Sequence, residues 1–418
     1  MDSVTPPGTS PSAARSWSPW RTVVAFGLVS LFADMVYEGM RAVAGPFLGS
    51  LGASALTVGL VTGAGEAVAL VLRLVSGPWA DRSRQYWRLT VVGYAMTAVC
   101  VPLLAITPLL GAAGVAVAST LILLERVGKA VRSPAKSALL ARMAASTGRG
   151  RGFAVHKALD QVGAFAGPLL LAGVAALTGE LWPGLALLAV PGALSMLLLA
   201  QLRRRVPSVA EPDPEDATLP RPPSGPLWDG VLGADLPREF HLFSLAVACS
   251  TAGLMTFGVI SFRFVDAGLV PLAAVPLVYA GAMAVEAVAA LATGDLFDRF
   301  GGRVLLVVPF VVVTVPPLVF APALWPVLTG VVLWGAATGI QDSTVKAYVA
   351  DLVPSRRRST AYGVFAAVQG VGALVGGTVA GALATTHAGV LAWCVAGLQA
   401  TSLLLLLRSL RGTAKRPR

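Results

Sequence analysis

The chain has 418 residues, enough for two or three soluble domains, yet 56% are apolar and only 13% are charged, against roughly 25% in an ordinary globular chain. With a mean hydropathy of +0.75 there are too few charges to cover a water-facing surface, so a soluble architecture is excluded and a polytopic membrane protein is expected. The net charge of +11 would suit a nucleic-acid partner, but its placement along the chain gives it another cause.

Residues 1–20 are polar and rich in Pro and Ser, without the apolar core of a cleavable signal peptide, and read as a disordered tail. Apolar runs follow at 22–45, 56–76, 89–107, 113–133, 152–177 and 183–202, each near the ~20 residues a helix needs to cross a bilayer. Residues 203–238 are a different material. They hold eight prolines, the triplet Arg203-Arg204-Arg205 and an acidic stretch, with no helical period, which is the composition of a linker. Six more runs lie at 241–264, 273–293, 304–320, 323–345, 360–383 and 387–407, and a basic tail occupies 409–418. The expectation is an all-α membrane protein of twelve transmembrane helices in two six-helix bundles, 21–202 and 239–408. Cys100, Cys249 and Cys394 sit far apart inside these runs and read as small buried packing residues.

Basic residues follow every second span: Arg82, Arg84 and Arg88; Arg142, Arg149 and Arg151; Arg203 to Arg205; Arg299 and Arg303; Arg356 to Arg358; and the C-terminal tail. The intervening connections hold no Lys or Arg. By the positive-inside rule both termini and the linker face the cytoplasm, which accounts for most of the net charge without a nucleic acid. The abundance of Ala, Gly, Val and Leu beside 27 Arg and five Lys suits a bacterial plasma membrane.

Charges inside spans cost ~2.5–3.5 kcal/mol each on insertion scales, so they are the informative positions. In span 1, Asp34, Glu38 and Arg41 fall at i, i+4 and i+7 on one face with Tyr37 beside them, a stripe expected to face a central cavity with Glu38 pairing Arg41. Asp34, near mid-membrane, is the leading candidate for exchanging a proton. Glu66 and Arg73 share a face of span 2, where Arg73 is expected to snorkel. Span 4 carries Glu125, Arg126, Lys129, Arg132 and Lys136, a stripe that serves either as anion contacts or as part of an inner gate reaching Asp81 and Arg82. Span 5 offers His156, Lys157 and Asp160. Span 7 ends in Arg263 and Asp266, and span 10 sets Asp342 four residues before Lys346, an expected ion pair. Glu286 in span 8 has no basic residue near it on its helix and is a second protonatable candidate.

The halves resemble each other. Gly77-Pro-Trp-Ala-Asp81-Arg82, with Arg88 beyond, reappears as Gly294-Asp-Leu-Phe-Asp298-Arg299 with Arg303 beyond. Gly163 and Gly167 in span 5 correspond to Gly372 and Gly376 in span 11. Parallel six-helix repeats about an axis along the membrane normal are one construction of alternating-access transporters. On these residues the chain resembles the major facilitator superfamily: the Gly77 to Arg88 segment is similar to its motif A, and Gly163-x-x-x-Gly167-Pro168 to the motif C of its drug/proton antiporters.

That resemblance implies a secondary transporter, with the two motif-A loops as gates and Gly163, Gly167, Pro168, Gly372 and Gly376 as packing and hinge positions. The expected function is proton-coupled efflux of a small amphipathic molecule, with Asp34, Glu38, Glu66 and Glu286 as coupling candidates. Tyr37, Arg41, Lys129, Arg132, Asp160 and Asp342 are the cavity candidates. Uptake of a polar or anionic metabolite held by Arg41, Lys129 and Arg132 is the alternative, and a non-transporting sensor or scaffold is a third. No nucleotide-binding, metal-ligand or catalytic pattern occurs, so neither an enzyme nor a cofactor is expected, and the chain reads as a monomer with lipid, substrate and protons as its partners.

Overall fold

The computed structural model describes residues 17–144, 147–206, 236–354 and 357–414. Most of the expected N-terminal tail, most of the linker, Arg356 and the last four residues of the basic tail lie outside the described residues. Among those described, fifteen α-helices and no strands occur: α1 (Pro19–Ser50), α2 (Ala55–Val71), α3 (Arg73–Ser83), α4 (Tyr86–Leu103), α5 (Gly114–Met143), α6 (Arg149–Thr178), α7 (Trp182–Leu187), α8 (Ala189–Arg205), α9 (Arg238–Leu254), α10 (Phe257–Asp266), α11 (Val275–Phe300), α12 (Val307–Val319), α13 (Leu324–Leu352), α14 (Arg358–Leu383) and α15 (Ala388–Ala414).

Ten helical stretches are long and apolar enough to cross a membrane. Two of them, Tyr86–Met143 and Leu272–Val319, run 58 and 48 residues, about twice what one crossing takes. Each turns back through a 3-10 link, Leu104–Ala113 in the first and Gly301–Leu306 in the second. Twelve crossings result, six in each half, with α2 and α3, α7 and α8, and α9 and α10 each making one broken crossing.

Local chemistry sets the ends. Ser18 caps α1 by accepting the Arg21 N–H, with Pro19 at the first helical position, and Ser54 caps α2 through the Thr57 N–H at 3.2 Å. α6 stops where Gly179 takes φ +74, a left-handed turn that a side chain would resist. Between α9 and α10 the helix breaks at Met255, a non-glycine residue at φ 62, whose freed carbonyl accepts the Trp334 indole N–H at 3.4 Å. Broken backbone at membrane depth is tolerated where protein supplies such a partner.

The repeat predicted from the glycines is built into the packing. α1 lies on α6, and a Cβ on Gly163 or Gly167 would stand 2.1 Å from the Leu31 carbonyl or 2.2 Å from that of Met35. α9 lies on α14 in the same way, with Gly372 and Gly376 at 2.4 Å and 2.2 Å from the carbonyls of Ala248 and Ala252. Backbones this close gain dispersion contacts that larger residues would prevent.

The halves join most tightly at the face opposite the chain termini. There α1 meets α10 and α2 meets α14, with a Cβ on Gly45 only 2.0 Å from the Gly258 carbonyl and one on Gly59 only 2.1 Å from that of Gly377. Thr62 and Thr256 share a hydrogen bond of 2.7 Å across the same seam. Toward the terminal face the close-packed pair spanning the halves is α3 with α14, so the bundles separate on that side. The outer surface is apolar: Leu109, Leu177, Leu291, Trp325 and Trp393 are largely exposed, as a lipid-facing belt requires. Cys100 is buried as expected, but Cys394 is exposed on that belt beside Trp393, because α15 turns this face outward.

Candidate functional site

Two charge clusters occupy the N-terminal half. The first lies where α1, α2 and α5 converge. Arg41 holds Glu66 at 3.3 Å and Glu38 at 3.7 Å, the second being the pair predicted from spacing. Arg126 reaches Glu66 at 3.8 Å and Glu125 at 3.7 Å, and it donates to the Tyr37 hydroxyl. Arg132 lies 3.8 Å from Glu125 and donates to Thr97, whose hydroxyl donates onward to Glu125 at 3.0 Å. Glu125 is fully buried. Burying a charge is bearable only with such partners, and each carboxylate here has at least two ionic or hydrogen-bonding ones.

Two cations of this cluster stand apart. Lys129 places its ammonium 3.6 Å from the centroid of the Tyr37 ring and makes no ion pair among the described residues. Arg73 also makes none, and its Nε is buried without a hydrogen-bond partner. Snorkelling was expected of Arg73. Instead it is turned inward, near Glu66 and within electrostatic reach of Asp342 in the other half.

The second cluster corrects the single stripe expected on α1. Asp34 does not join Glu38 and Arg41; its carboxyl lies within hydrogen-bonding reach of that of Asp160 on α6. Lys136 sits 3.4 Å from Asp160, and Lys157 sits 3.7 Å from it on the exposed side. Ser30, wholly buried, links the site: it accepts from Lys136 at 3.0 Å and shares hydrogen bonds with Tyr94 at 2.8 Å and His156 Nε2 at 3.0 Å. Asp34 and Glu38 stand only about 40° apart around α1, since four residues advance about 400°, and the clusters divide because Asp160 and Lys136 lie beside the first while Arg41 and Glu66 lie beside the second.

The C-terminal half contributes differently. Tyr279 donates to Glu38 at 2.5 Å across the seam between the halves. Seven residues further along α11, Glu286 has a buried Oε2 with no hydrogen-bond partner and no cation paired to it among the described residues. The expected pair of Asp342 with Lys346 does not form; both side chains are exposed and neither makes an ion pair among the described residues. Behind them, uncharged groups close a network: Gln341 accepts from Thr251 at 3.1 Å, and Gln369 donates to the same hydroxyl at 3.4 Å.

The motif-A loops are also asymmetric. Asp81 accepts from the Tyr86 hydroxyl at 3.3 Å, Arg142 stacks on the Tyr86 ring at 5.0 Å, and Arg88 donates to Gln85 at 3.0 Å. The expected reach of Glu125 or Arg126 to Asp81 is not what forms, because both are held deep in the span by Glu66, Arg132 and Tyr37. The second copy, Asp298, Arg299 and Arg303 after Gly294, is exposed and makes no ion pair among the described residues. Arg263 and Asp266 pair loosely at 4.0 Å.

Sequence reading missed Ser30, Tyr94 and Thr97, buried hydroxyls that turn isolated charges into networks. Their signal was weak: polar residues inside apolar runs, one helix away from a charge.

The model of the Major Facilitator Superfamily matches residues 24–308 and 270–418. The chain belongs to this superfamily. It is a membrane transporter and not an enzyme. It is similar to an uncharacterized protein of Mycobacterium tuberculosis, 47% identical over 390 residues and covering 93% of each chain. An uncharacterized MFS-type transporter of Methanocaldococcus jannaschii is 26% identical, covering 87% of this chain and 88% of its own. Among solved structures of similar fold, the nucleoside transporter NupG is 15% identical with a TM-score of 0.68, covering 95% of this chain and all of its own.

Proposed function

We propose that the chain couples protons to the export of a small amphipathic molecule by alternating access, across a bacterial plasma membrane with both termini in the cytoplasm. The observation that carries the coupling is the meeting of Asp34 and Asp160 with one half-buried ammonium, Lys136, on the inner side, Lys157 reaching Asp160 only from the exposed side. Lys157 is solvated, so with one proton shared between the carboxyls the inner part of the site, Lys136 and the two acids, is neutral. Without it, two carboxylates oppose one ammonium in a poorly hydrated place, and a conformation that admits water is favoured. Proton occupancy therefore biases α1 against α6, whose glycine contacts form a close sliding surface. Glu38 and Glu66, also coupling candidates, are engaged by Arg41 with Tyr279 and by Arg41 with Arg126 respectively, and suit a structural role better.

The orientation rests on the basic loops. Under it, the cavity between the bundles faces the cytoplasm while the far seam is closed. Export, with protons moving inward, rests on the likeness of the Gly163 to Pro168 segment to motif C. A second reading, a polar or anionic cargo, is favoured by Lys129 and Arg73, the two cations of the cluster between α1, α2 and α5 that pair with no carboxylate among the described residues.

The test uses purified protein in liposomes holding a pH-sensitive dye. An imposed proton gradient is combined with pooled lipophilic cations, weak acids, nucleosides and sugars. Substrate-dependent proton flux is expected in the native protein and absent in Asp34→Asn and Asp160→Asn, and its sign separates antiport from symport. Substrate movement without proton flux, or undiminished flux in both variants, overturns the coupling.

A further inference from the structure

We infer that the central cavity takes a zwitterion, its carboxylate held by Lys129 and Arg73 of the N-terminal half and its ammonium by Glu286 and Asp342 of the C-terminal half. This rests on the reading of that cavity as the transport site, and it narrows the class of cargo.

The argument is one of charges left over. In the N-terminal half, Glu38, Glu66 and Glu125 are each engaged by Arg41, Arg126 or Arg132 at 3.3–3.8 Å. Five cations face these three carboxylates, and Lys129 and Arg73 are the two that pair with none. The C-terminal wall presents the reverse surplus: Glu286 with an unsatisfied buried oxygen, and Asp342 exposed without a cation. The two surpluses are linked by contacts that cross between the halves, and Glu286 lies within electrostatic reach of Asp342, Arg41 and Glu38. Lys129 rests on the ring of Tyr37; the next residue, Glu38, is bonded to Tyr279, and Glu286 lies two turns along from Tyr279 on the same helix.

Arg73 and Asp342 lie within electrostatic reach of each other but form no ion pair among the described residues, which leaves both charges available to a ligand between the halves. A ligand with one carboxylate and one ammonium satisfies both walls at once. A purely anionic cargo leaves Glu286 and Asp342 facing its negative charge, and a purely cationic one meets Lys129 and Arg73. Bridging the halves also gives the cargo a mechanical role, since contact with both walls draws the bundles together on the open side. The aromatic rings of Tyr37 and Tyr279 supply apolar contact for the body between the charged ends.

The test measures ligand-dependent thermal stabilisation of the full-length protein in detergent, with no proton gradient. The probes are matched triples: free ω-amino acids of graded length, phenylalanine and alanyl-phenylalanine, each beside its N-acetyl and its C-amide form. In the native protein the free member of at least one triple is expected to bind about tenfold or more tightly than either capped form, the size of one or two hydrogen bonds to charged groups. Glu286→Gln should equalise the free and N-acetyl members, and Lys129→Gln the free and C-amide members, with Lys129→Arg retaining the native preference. Such opposite switches are not produced by general misfolding.

Equal binding of capped and free members, no binding by any triple, or uniform weakening of all three members in both variants overturns the inference. Zwitterion selectivity that persists in a protein moving no protons leaves the inference standing and removes the coupling proposal. Proton-coupled transport of singly charged cargo alone does the opposite.

Discussion

The pair α2 with α5 and the pair α11 with α13 occupy matching places in the two halves, and they are held together by unlike means. Between α11 and α13 the backbones touch: a Cβ on Gly335 would stand 2.5 Å from the Ala282 carbonyl, and one on Gly339 2.2 Å from that of Glu286. Between α2 and α5 lie Glu66, Glu125 and Arg126, and the nearest neighbour of Gly65 is the stem of Arg126 at 3.1 Å. One pair is close and uncharged; the other is spaced by a ladder of ion pairs. Glu66 and Glu286 hold the same rank in the two halves, yet the first sits between two guanidinium groups and the second has none. The same repeat has been given a structural carboxylate on one side and an available one on the other. Division of labour follows: the N-terminal half carries fixed charge, and the C-terminal half carries a compact wall with a few free acids.

The largest break in this comparison is expected at Glu125. Replacing it by Gln leaves Arg126 and Arg132 short of a buried counter-charge, and removing one partner of a buried pair typically costs about 3–5 kcal/mol. Thermal unfolding in detergent should fall sharply for Glu125→Gln and much less for Glu286→Gln, whose Oε2 has no partner to lose. The double variant Glu125→Gln with Arg132→Gln should recover part of the loss. Equal losses at Glu125 and Glu286 would dissolve the distinction between fixed and available acids.

A second test strikes the seam shared by both halves. Gly59→Leu and Gly45→Val each insert a side chain where 2.0–2.1 Å separates a Cβ from a facing carbonyl. Neither contact lies within a half, so each bundle should fold while the far face fails to close. Cysteine labelling at positions near the Thr62–Thr256 hydrogen bond should rise about tenfold with little change in unfolding temperature. A large loss of stability instead would show that the seam is part of one folding unit.

How much of this was written in the sequence follows from what pattern can carry. Twelve crossings, two halves and the glycine pairs of α6 and α14 were legible, because apolar run length and GxxxG spacing are local signals. So was the Glu38–Arg41 pair, one turn apart on a single helix. The partners of Asp34 were not, since Asp160 and Lys136 come from two other helices and only the packing angle of α6 brings them to it. Periodicity placed Asp34 on the same stripe as Glu38; the neighbours on either side of that stripe divide it. Arg73 was misread for the same reason, a residue near a helix end whose inward turn is set by Glu66 and by the opposite half. The Asp342–Lys346 spacing permitted a pair, yet exposed i, i+4 partners gain only about 0.3–0.5 kcal/mol and water competes for both.

The smallest effect sharpens the comparison at the loops. Asp81 accepts from Tyr86 and sits beside Arg142, which stacks on the same ring, so the first motif-A loop is tied to the end of α5. Asp298 and Arg299 are exposed and tied to nothing among the described residues. Asp81→Asn should therefore cost more than Asp298→Asn in unfolding free energy: about 1 kcal/mol for a half-buried charged hydrogen bond against less than about 0.5 kcal/mol for a solvated one. The difference is small enough to require denaturant titration of both variants side by side. In a state closed toward the termini the second loop would gain partners as the bundles approach, and Asp298→Asn would then slow transport while leaving stability alone. Stability and turnover measured on the same pair of variants thus separate a loop that already holds structure from one whose contacts form only when the cavity shuts.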